Sequence, residues 1–190
     1  MKLKNLKTKI LGRVNFYYKK IDSTQKEIWR LLDKKILNGT LVISDIQTDG
    51  IGTHGRKWYT DESNNIAFSF YYEINCNIEK LDGITIEIAE ILVDIFKRIY
   101  DINLIIKSPN DLYYNNKKIG GILTESKVQG KNIKFLVIGI GINTSQKIFN
   151  SELKDIASSI KNEFNLDIDN EKIITEFCNC FELKIMKRIG

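Results

Sequence analysis

Residues 47–58 read Gln-Thr-Asp-Gly-Ile-Gly-Thr-His-Gly-Arg-Lys-Trp, three glycines beside His54, Arg56 and Lys57. Glycine costs conformational entropy on ordering, so closely spaced glycines mark backbone that takes positive φ or lets a ligand approach closely. Such a loop can present a nest of N–H donors to an anion. Gly50, Gly52 and Gly55 satisfy the G-x-G-x-x-G dinucleotide pattern, but that reading needs a helix opening at the last glycine. Residues 59–65 instead read as a polar turn, and Ile66, Phe68, Phe70, Tyr72 and Ile74 alternate as a strand. No Gly-Lys-Ser/Thr follows to make a Walker phosphate loop. A flexible glycine-rich hairpin connection is the plain alternative for this stretch.

Three further stretches carry residues suited to chemistry. Lys107-Ser108-Pro109-Asn110-Asp111-Leu112 places a proline where it pins a turn and holds Ser108 extended, and Pro-Asn-Asp also serves as an ordinary turn. Lys118-Ile119-Gly120-Gly121-Ile122-Leu123-Thr124-Glu125 and Val137-Ile138-Gly139-Ile140-Gly141-Ile142-Asn143 put glycines inside apolar strands. Glycine weakens a strand and marks close approach of a ligand or another backbone. The one histidine, His54, excludes histidine triads elsewhere and multi-histidine metal sites. Cys76, Cys178 and Cys180 fit no disulfide or zinc spacing and are expected to be inert thiols.

The elements that must position these residues follow from periodicity. Residues 14–21 alternate as a short strand, and Asp22-Ser23-Thr24-Gln25 leads into Ile28, Trp29, Leu31, Leu32 and Ile36 at helical spacing. Ser23 or Thr24 is the N-cap, whose helix end also offers N–H groups to a ligand. Trp29 is expected in the core, and Gly39 is expected to end the helix. A strand follows at 41–47, then the glycine loop and the strand 66–74. Ile84, Ile88, Ile91, Ile95 and Ile99 make an amphipathic helix. Strands at 104–107, 112–114, 118–128 and 133–142 form a run of hairpins. Helices are expected at 152–164 and 172–189, the second with Ile173, Phe177, Phe181 and Ile185 on one face. The outcome is a single α+β domain over residues 1–190, helices against a mixed, largely antiparallel sheet.

Composition sets the outer bounds. With 190 residues, 43% hydrophobic and 28% charged, the chain reads as a globular domain. The net charge of +5, 29 basic less 24 acidic residues, is spread along the chain rather than gathered in an Arg-rich stripe. That distribution suits an acidic partner and gives little support to a nucleic-acid module. No signal-peptide core or membrane-length apolar run is present, so a cytoplasmic location without membrane attachment is expected.

Taken together, the Gly-Arg-x-Trp loop, the Pro-Asn-Asp-Leu box, the Lys-x-x-Gly-Ile-Leu segment, the Gly-x-Gly-Ile-Asn strand and the preceding Asp-Ser-Thr resemble the catalytic domain of biotin protein ligases. The resemblance implies a fold of the biotin/lipoate ligase type, similar to class II aminoacyl-tRNA synthetases. It implies ATP-dependent, AMP-forming activation of biotin to biotinyl-5′-AMP, then transfer to a lysine of a biotin carboxyl carrier protein. ATP and biotin are the implied substrates, with Mg²⁺ on the polyphosphate. Ser23, Thr24, Gln47, Gly50, Gly121 and Gly139 are placed around biotin. Lys118 bridges the biotin carboxylate and the α-phosphate, Arg56 reaches phosphates, Trp58 flanks adenine, and Asn143 bonds the nucleotide. Asn110 and Asp111 lie near the metal and the reacting phosphate, with Asp111 able to accept a proton from the incoming amine.

The sequence departs from that pattern at Ile51 and Thr53, where arginines are usual, leaving His54 and Lys57 as the nearest substitutes, and at Ser108, where a core tryptophan is usual. Neither the family's N-terminal DNA-binding domain nor its small C-terminal β-barrel is recognisable, so no DNA partner is expected; a homodimer paired through sheet edges is left open. Competing readings are a lipoate or octanoate transferase of the same fold and a non-catalytic binder of biotin or biotinyl-AMP.

Overall fold

A computed structural model describes residues 3–60 and 65–190. Of the turn expected over 59–65, residues 61–64 lie outside them. β1 (Asn15–Ile21) lies parallel to β2 (Leu41–Gln47), with α1 (Thr24–Leu32) as the crossover between them. The glycine loop forms a separate ribbon of β3 (Gly50–Ile51) and β4 (Lys57–Trp58). β5 (Ile66–Asn77), α2 (Ile84–Tyr100), β6 (Ile105–Lys107), β7 (Asp111–Tyr114), β8 (Lys117–Gln129) and β9 (Asn132–Ile142) follow, then α3 (Ile160–Phe164) and α4 (Asn170–Ile189). The main sheet has the order β1-β2-β5-β9-β8-β7-β6. Every neighbouring pair except β1 and β2 is antiparallel, which is the mixed sheet expected.

Period-2 patterning assigns the two faces of the central strands. Phe68, Phe70 and Tyr72 of β5 and Ile138, Ile140 and Ile142 of β9 join α2 and α4 in the main core. In α4, Phe177 and Phe181 are both buried; Phe181 meets Phe70 edge-on at 5.0 Å, and Phe177 meets Phe68 edge-on at 5.5 Å. On the other face a smaller core of Ile28, Leu31, Val42, Tyr71 and Val137 lies under α1.

Ser23 is the α1 cap: it is extended, and its hydroxyl accepts from the Lys26 amide. The helix ends at Leu32, earlier than expected, because Lys35 takes a left-handed conformation (φ 57°). Gly39 instead lies against Ile10, where a Cβ would stand 2.6 Å from the Ile10 carbonyl. Trp29 is half-buried rather than core, packed on Phe135 with its indole N–H donated to Glu125.

The helix expected over 152–164 shrinks to Ile160–Phe164. Its first half runs beside β8, with the Lys118 amide donating to Ile156 O and the Ser158 amide donating to Lys118 O, each at 2.9 Å. Those sheet-like bonds override the helical spacing of Leu153, Ile156 and Ile160. Ser108 is exposed and so vacates no core position. In α4 the buried Glu182 carboxylate accepts backbone N–H bonds from Lys9, Ile10 (3.0 Å) and Leu11 (2.7 Å), and Asn179 accepts from the Lys7 amide at 2.7 Å.

Candidate active site

On the α1 face the sheet becomes small. Ala67 and Ser69 of β5 pair with Gly141 and Gly139 of β9, and Gly141 pairs with Gly121 of β8. Beyond Tyr71 and Val137 the side chains fall away, leaving a hollow that no described helix fills. α1, the glycine ribbon, β7 and residues 149–157 wall it into a cavity of about 250 Å³.

One end of the cavity is polar and lined by buried side chains. Gln47 Oε1 accepts from the Thr24 amide at 2.7 Å and hydroxyl at 3.1 Å, which leaves Thr24 Oγ1 to accept from the Ser69 hydroxyl at 2.9 Å. All three side chains are buried. Next to Ser23, Asp22 takes a bidentate bond from Arg30 (2.7 and 2.8 Å), which holds its carboxyl down at about 2.

The other end is charged. Lys118 Nζ stands 2.7 Å from Asp111 Oδ1, both side chains partly exposed to the cavity. The same ammonium lies 5.8 Å from the Trp58 ring centre, within cation–π reach. Trp58 lies over Gly141, where a Cβ would come within 2.5 Å of the indole. Its Nε1–H is buried and unpartnered, and Asp111 Oδ1, though ion-paired, accepts no well-directed hydrogen bond. Asn110 Nδ2 donates to Ile122 O (3.2 Å), and Asn143 Nδ2 donates to Ser158 O (3.1 Å), so both amides also tie strands and loop together.

The ribbon carries hydrogen bonds of its own. The Gly52 amide donates to Arg56 O at 2.7 Å, and Thr53–Gly55 makes one tight turn with positive φ at His54 (57°) and Gly55 (+72°). Arg56 is exposed and folded onto its own loop, donating to Thr53 O (3.3 Å) and Thr53 Oγ1 (2.9 Å). Lys57 lines the cavity, whereas His54 is absent from its lining.

Of the residues singled out in the sequence, Ser23, Thr24, Gln47, Arg56, Trp58, Asn110, Asp111, Lys118, Gly121, Gly139 and Asn143 all line this cavity. Gly50 does not. It lines an adjoining cleft, its α-carbon turned onto the Trp58 carbonyl, which a Cβ would meet at 2.6 Å. The sequence reading missed Ser69, Tyr113, Phe149, Leu153 and Ile156. Ser69 was signalled only as a small polar residue in an otherwise bulky strand, and Leu153 and Ile156 were hidden in an apparent helix.

The biotin/lipoate A/B protein ligase family model matches residues 17–143, two-thirds of the chain and every motif described above. The chain belongs to this family. It is 35% identical over 179 residues to the bifunctional ligase/repressor BirA of Bacillus subtilis, covering 93% of this chain and 55% of that protein. The human biotin–protein ligase is 30% identical over 153 residues, covering 74% of this chain and 20% of that protein. The chain spans about half the length of the BirA relatives of Bacillus that it matches. The biotin protein ligase of Aquifex aeolicus, solved with biotin and ATP, superposes with a TM-score of 0.72 at 27% identity, covering 93% of this chain and 70% of that one. The mixed sheet with its helices is therefore the biotin protein ligase catalytic fold.

Proposed function

We propose that this family member activates biotin with ATP to biotinyl-5′-AMP and transfers the biotinyl group to a lysine of a biotin carboxyl carrier protein. The observation that carries the reading is the Lys118–Asp111 pair, 2.7 Å apart at one end of a cavity whose other end is neutral and polar. An ionised carboxylate attacking a phosphate needs alignment and a cation between two repelling anions more than it needs proton transfer. Lys118 supplies that cation.

In the first step the biotin carboxylate forms an O–P bond to the α-phosphorus as the bond to pyrophosphate breaks. Lys118 neutralises charge on both reacting groups, and Arg56, released from Thr53, reaches the phosphates. In the second, a carrier amine attacks the acyl carbon, AMP leaves with the anhydride electron pair, and Asp111 takes the amine's proton. Ser23, Thr24, Gln47 and Gly139 hold the biotin end, Gly121 leaves room beside the Lys118–Asp111 pair where the biotin carboxylate arrives, and Gly50 shapes the ribbon that covers the site. Trp58, Asn110 and Asn143 face the nucleotide.

Mg²⁺ fits this residue set in one way. Among the described residues no group of three acidic, histidine or cysteine side chains converges, whereas Mg²⁺ is commonly held by one or two carboxylates plus substrate phosphates. Asp111, with an under-bonded buried oxygen, is the residue that would hold it, and the ion would offset polyphosphate charge. A cytoplasmic setting belongs to the same reading; no described helix is long and apolar enough to cross a membrane. The sheet edges at β1 and β6 are where a homodimer would pair. The deciding measurement is pyrophosphate release from ATP. Release that requires biotin is expected; release with lipoate or octanoate instead, or biotin binding with no release, overturns the proposal.

A further inference from the structure

Ile148 and Phe149 are neighbours in sequence, yet Ile148 is 81% exposed while Phe149 lines the cavity. The bend that separates them is tied to two buried amide side chains, Asn65 at 3% and Gln146 at 4% exposure. Asn65 immediately precedes β5, where the pairing of Ile66 with Ile142 brings it to the chain leaving β9. Its Oδ1 accepts from the backbone amides of Ser145 (3.0 Å) and Gln146 (3.2 Å), and its Nδ2 donates to Gln146 Oε1 (3.1 Å). Gln146 Nε2 then donates to Ile148 O at 3.0 Å. Each step dictates the next. Backbone N–H groups can only donate, so Asn65 must offer them its oxygen and turn its nitrogen to Gln146. Gln146 must meet that nitrogen with its oxygen, which leaves its own nitrogen for the Ile148 carbonyl. Neither amide lines the cavity.

We infer that Gln146, oriented by Asn65, is a positioning residue of the site: it fixes the bend that puts Phe149, and not Ile148, into the cavity wall. The inference rests on the reading of this cavity as an adenylation site, with the nucleotide at the Asn143 end. Isoleucine and phenylalanine gain similar free energies from burial, so apolar burial alone chooses weakly between two adjacent side chains. A directional bond to the peptide carbonyl between them does choose. The far end of this wall is held separately, through the Lys118 backbone, and the biotin end through the bonds among Thr24, Gln47 and Ser69. Loss of the amide relay is therefore felt at the nucleotide end and leaves biotin binding in place.

The test measures ATP KM by biotin-dependent pyrophosphate release, together with biotin Kd, in Gln146→Met, Asn65→Asp, Phe149→Ala and the double variant Gln146→Met with Phe149→Ala. Gln146→Met is expected to raise ATP KM about tenfold with biotin Kd within about twofold. Asn65→Asp keeps an acceptor for the two backbone amides but cannot donate to Gln146, so the Gln146 amide turns its nitrogen inward and its oxygen toward Ile148 O. It is expected to raise ATP KM as Gln146→Met does, and it decides the matter should Gln146→Met fail to fold. The double variant should be no worse than the poorer single one, since both changes remove the same aromatic wall. Unchanged ATP KM in Gln146→Met overturns the inference, as does an equal loss in biotin Kd, which marks general damage. Wild-type ATP KM in Asn65→Asp makes Asn65 a backbone cap alone and overturns it too, as does additivity in the double variant. If the wild type releases no pyrophosphate with ATP and biotin, the functional reading has failed; if it does and the variants match it, only this inference has.

Discussion

Gly141 and Trp58 are complementary surfaces: the indole occupies the space that a β-carbon at 141 would need, closing to 2.5 Å of it. The pattern repeats at Gly139 with Gln25 and at Gly50 with the Trp58 carbonyl. These glycines shape the cavity indirectly, by admitting the polar and aromatic groups that line it. Gly141→Ala is therefore expected to fold but to displace Trp58, costing about 1–3 kcal/mol of stability and weakening nucleotide more than biotin. Tryptophan fluorescence and ATP KM report it; an unshifted spectrum with unchanged ATP KM contradicts it.

Gly121→Val should behave differently. A Cβ there meets Lys118 Cε at 3.3 Å and Asp111 Oδ1 at 3.4 Å, a flexible side-chain end and one carboxylate rather than backbone. Valine suits a strand, so the fold is expected to survive while the ion pair is pushed apart. Adenylation should fall by more than biotin affinity does. A variant that unfolds at ordinary temperature, or adenylates normally, refutes this.

Lys118→Ala is expected to slow single-turnover formation of biotinyl-AMP by roughly 10²–10³-fold, the scale of losing one preorganised charge-stabilising group, while biotin Kd changes less than tenfold. Near-wild-type single-turnover rates would remove Lys118 from the reacting centre.

The strands and most helices were legible because period-2 and period-3.6 patterns survive in one sequence. The paired faces of β5 and β9 were only half legible. Every residue from Ile66 to Tyr72 is buried, so alternation there separates two interiors rather than inside from outside. The motifs located eleven of the twelve chosen residues on one cavity, but the reason for each glycine depends on a side chain distant in sequence. Residues 152–159 misled for a related reason: Leu153 and Ile156 sit at helical spacing, yet pairing beside Lys118 decides their backbone.

Asp22 gives a pH dependence of definite sign. Arg30 lowers its carboxyl from 3.8 to about 2, so the folded value lies below the unfolded one. The stabilisation is full above about pH 4 and is lost as pH falls through about 2. Both side chains are more than one-third exposed, so screening limits it to below about 1 kcal/mol. Arg30→Gln should flatten the acid limb of stability between those values and raise the Asp22 carboxyl titration toward 3.8; an unmoved titration excludes the pairing.

Glu182→Ala removes the acceptor of three backbone N–H groups in residues 9–11. Hydrogen bonds to charged groups contribute about 1.5–3 kcal/mol each but not additively, so a loss of about 3 kcal/mol is expected in denaturant unfolding. A loss below about 1 kcal/mol would mean that the segment is held elsewhere.

The Glu182 attachment also orders events during synthesis. Residues 9–11 are made well before α4, and the carboxylate that receives their amides lies 171–173 positions later. Until α4 has left the ribosome, that early segment has no acceptor and the aromatic face of β5 has no Phe177 or Phe181 to cover it. Completion of the main core therefore waits for the synthesis of α4, and a chain stalled before residue 177 exposes Phe68 and Phe70 to other chains.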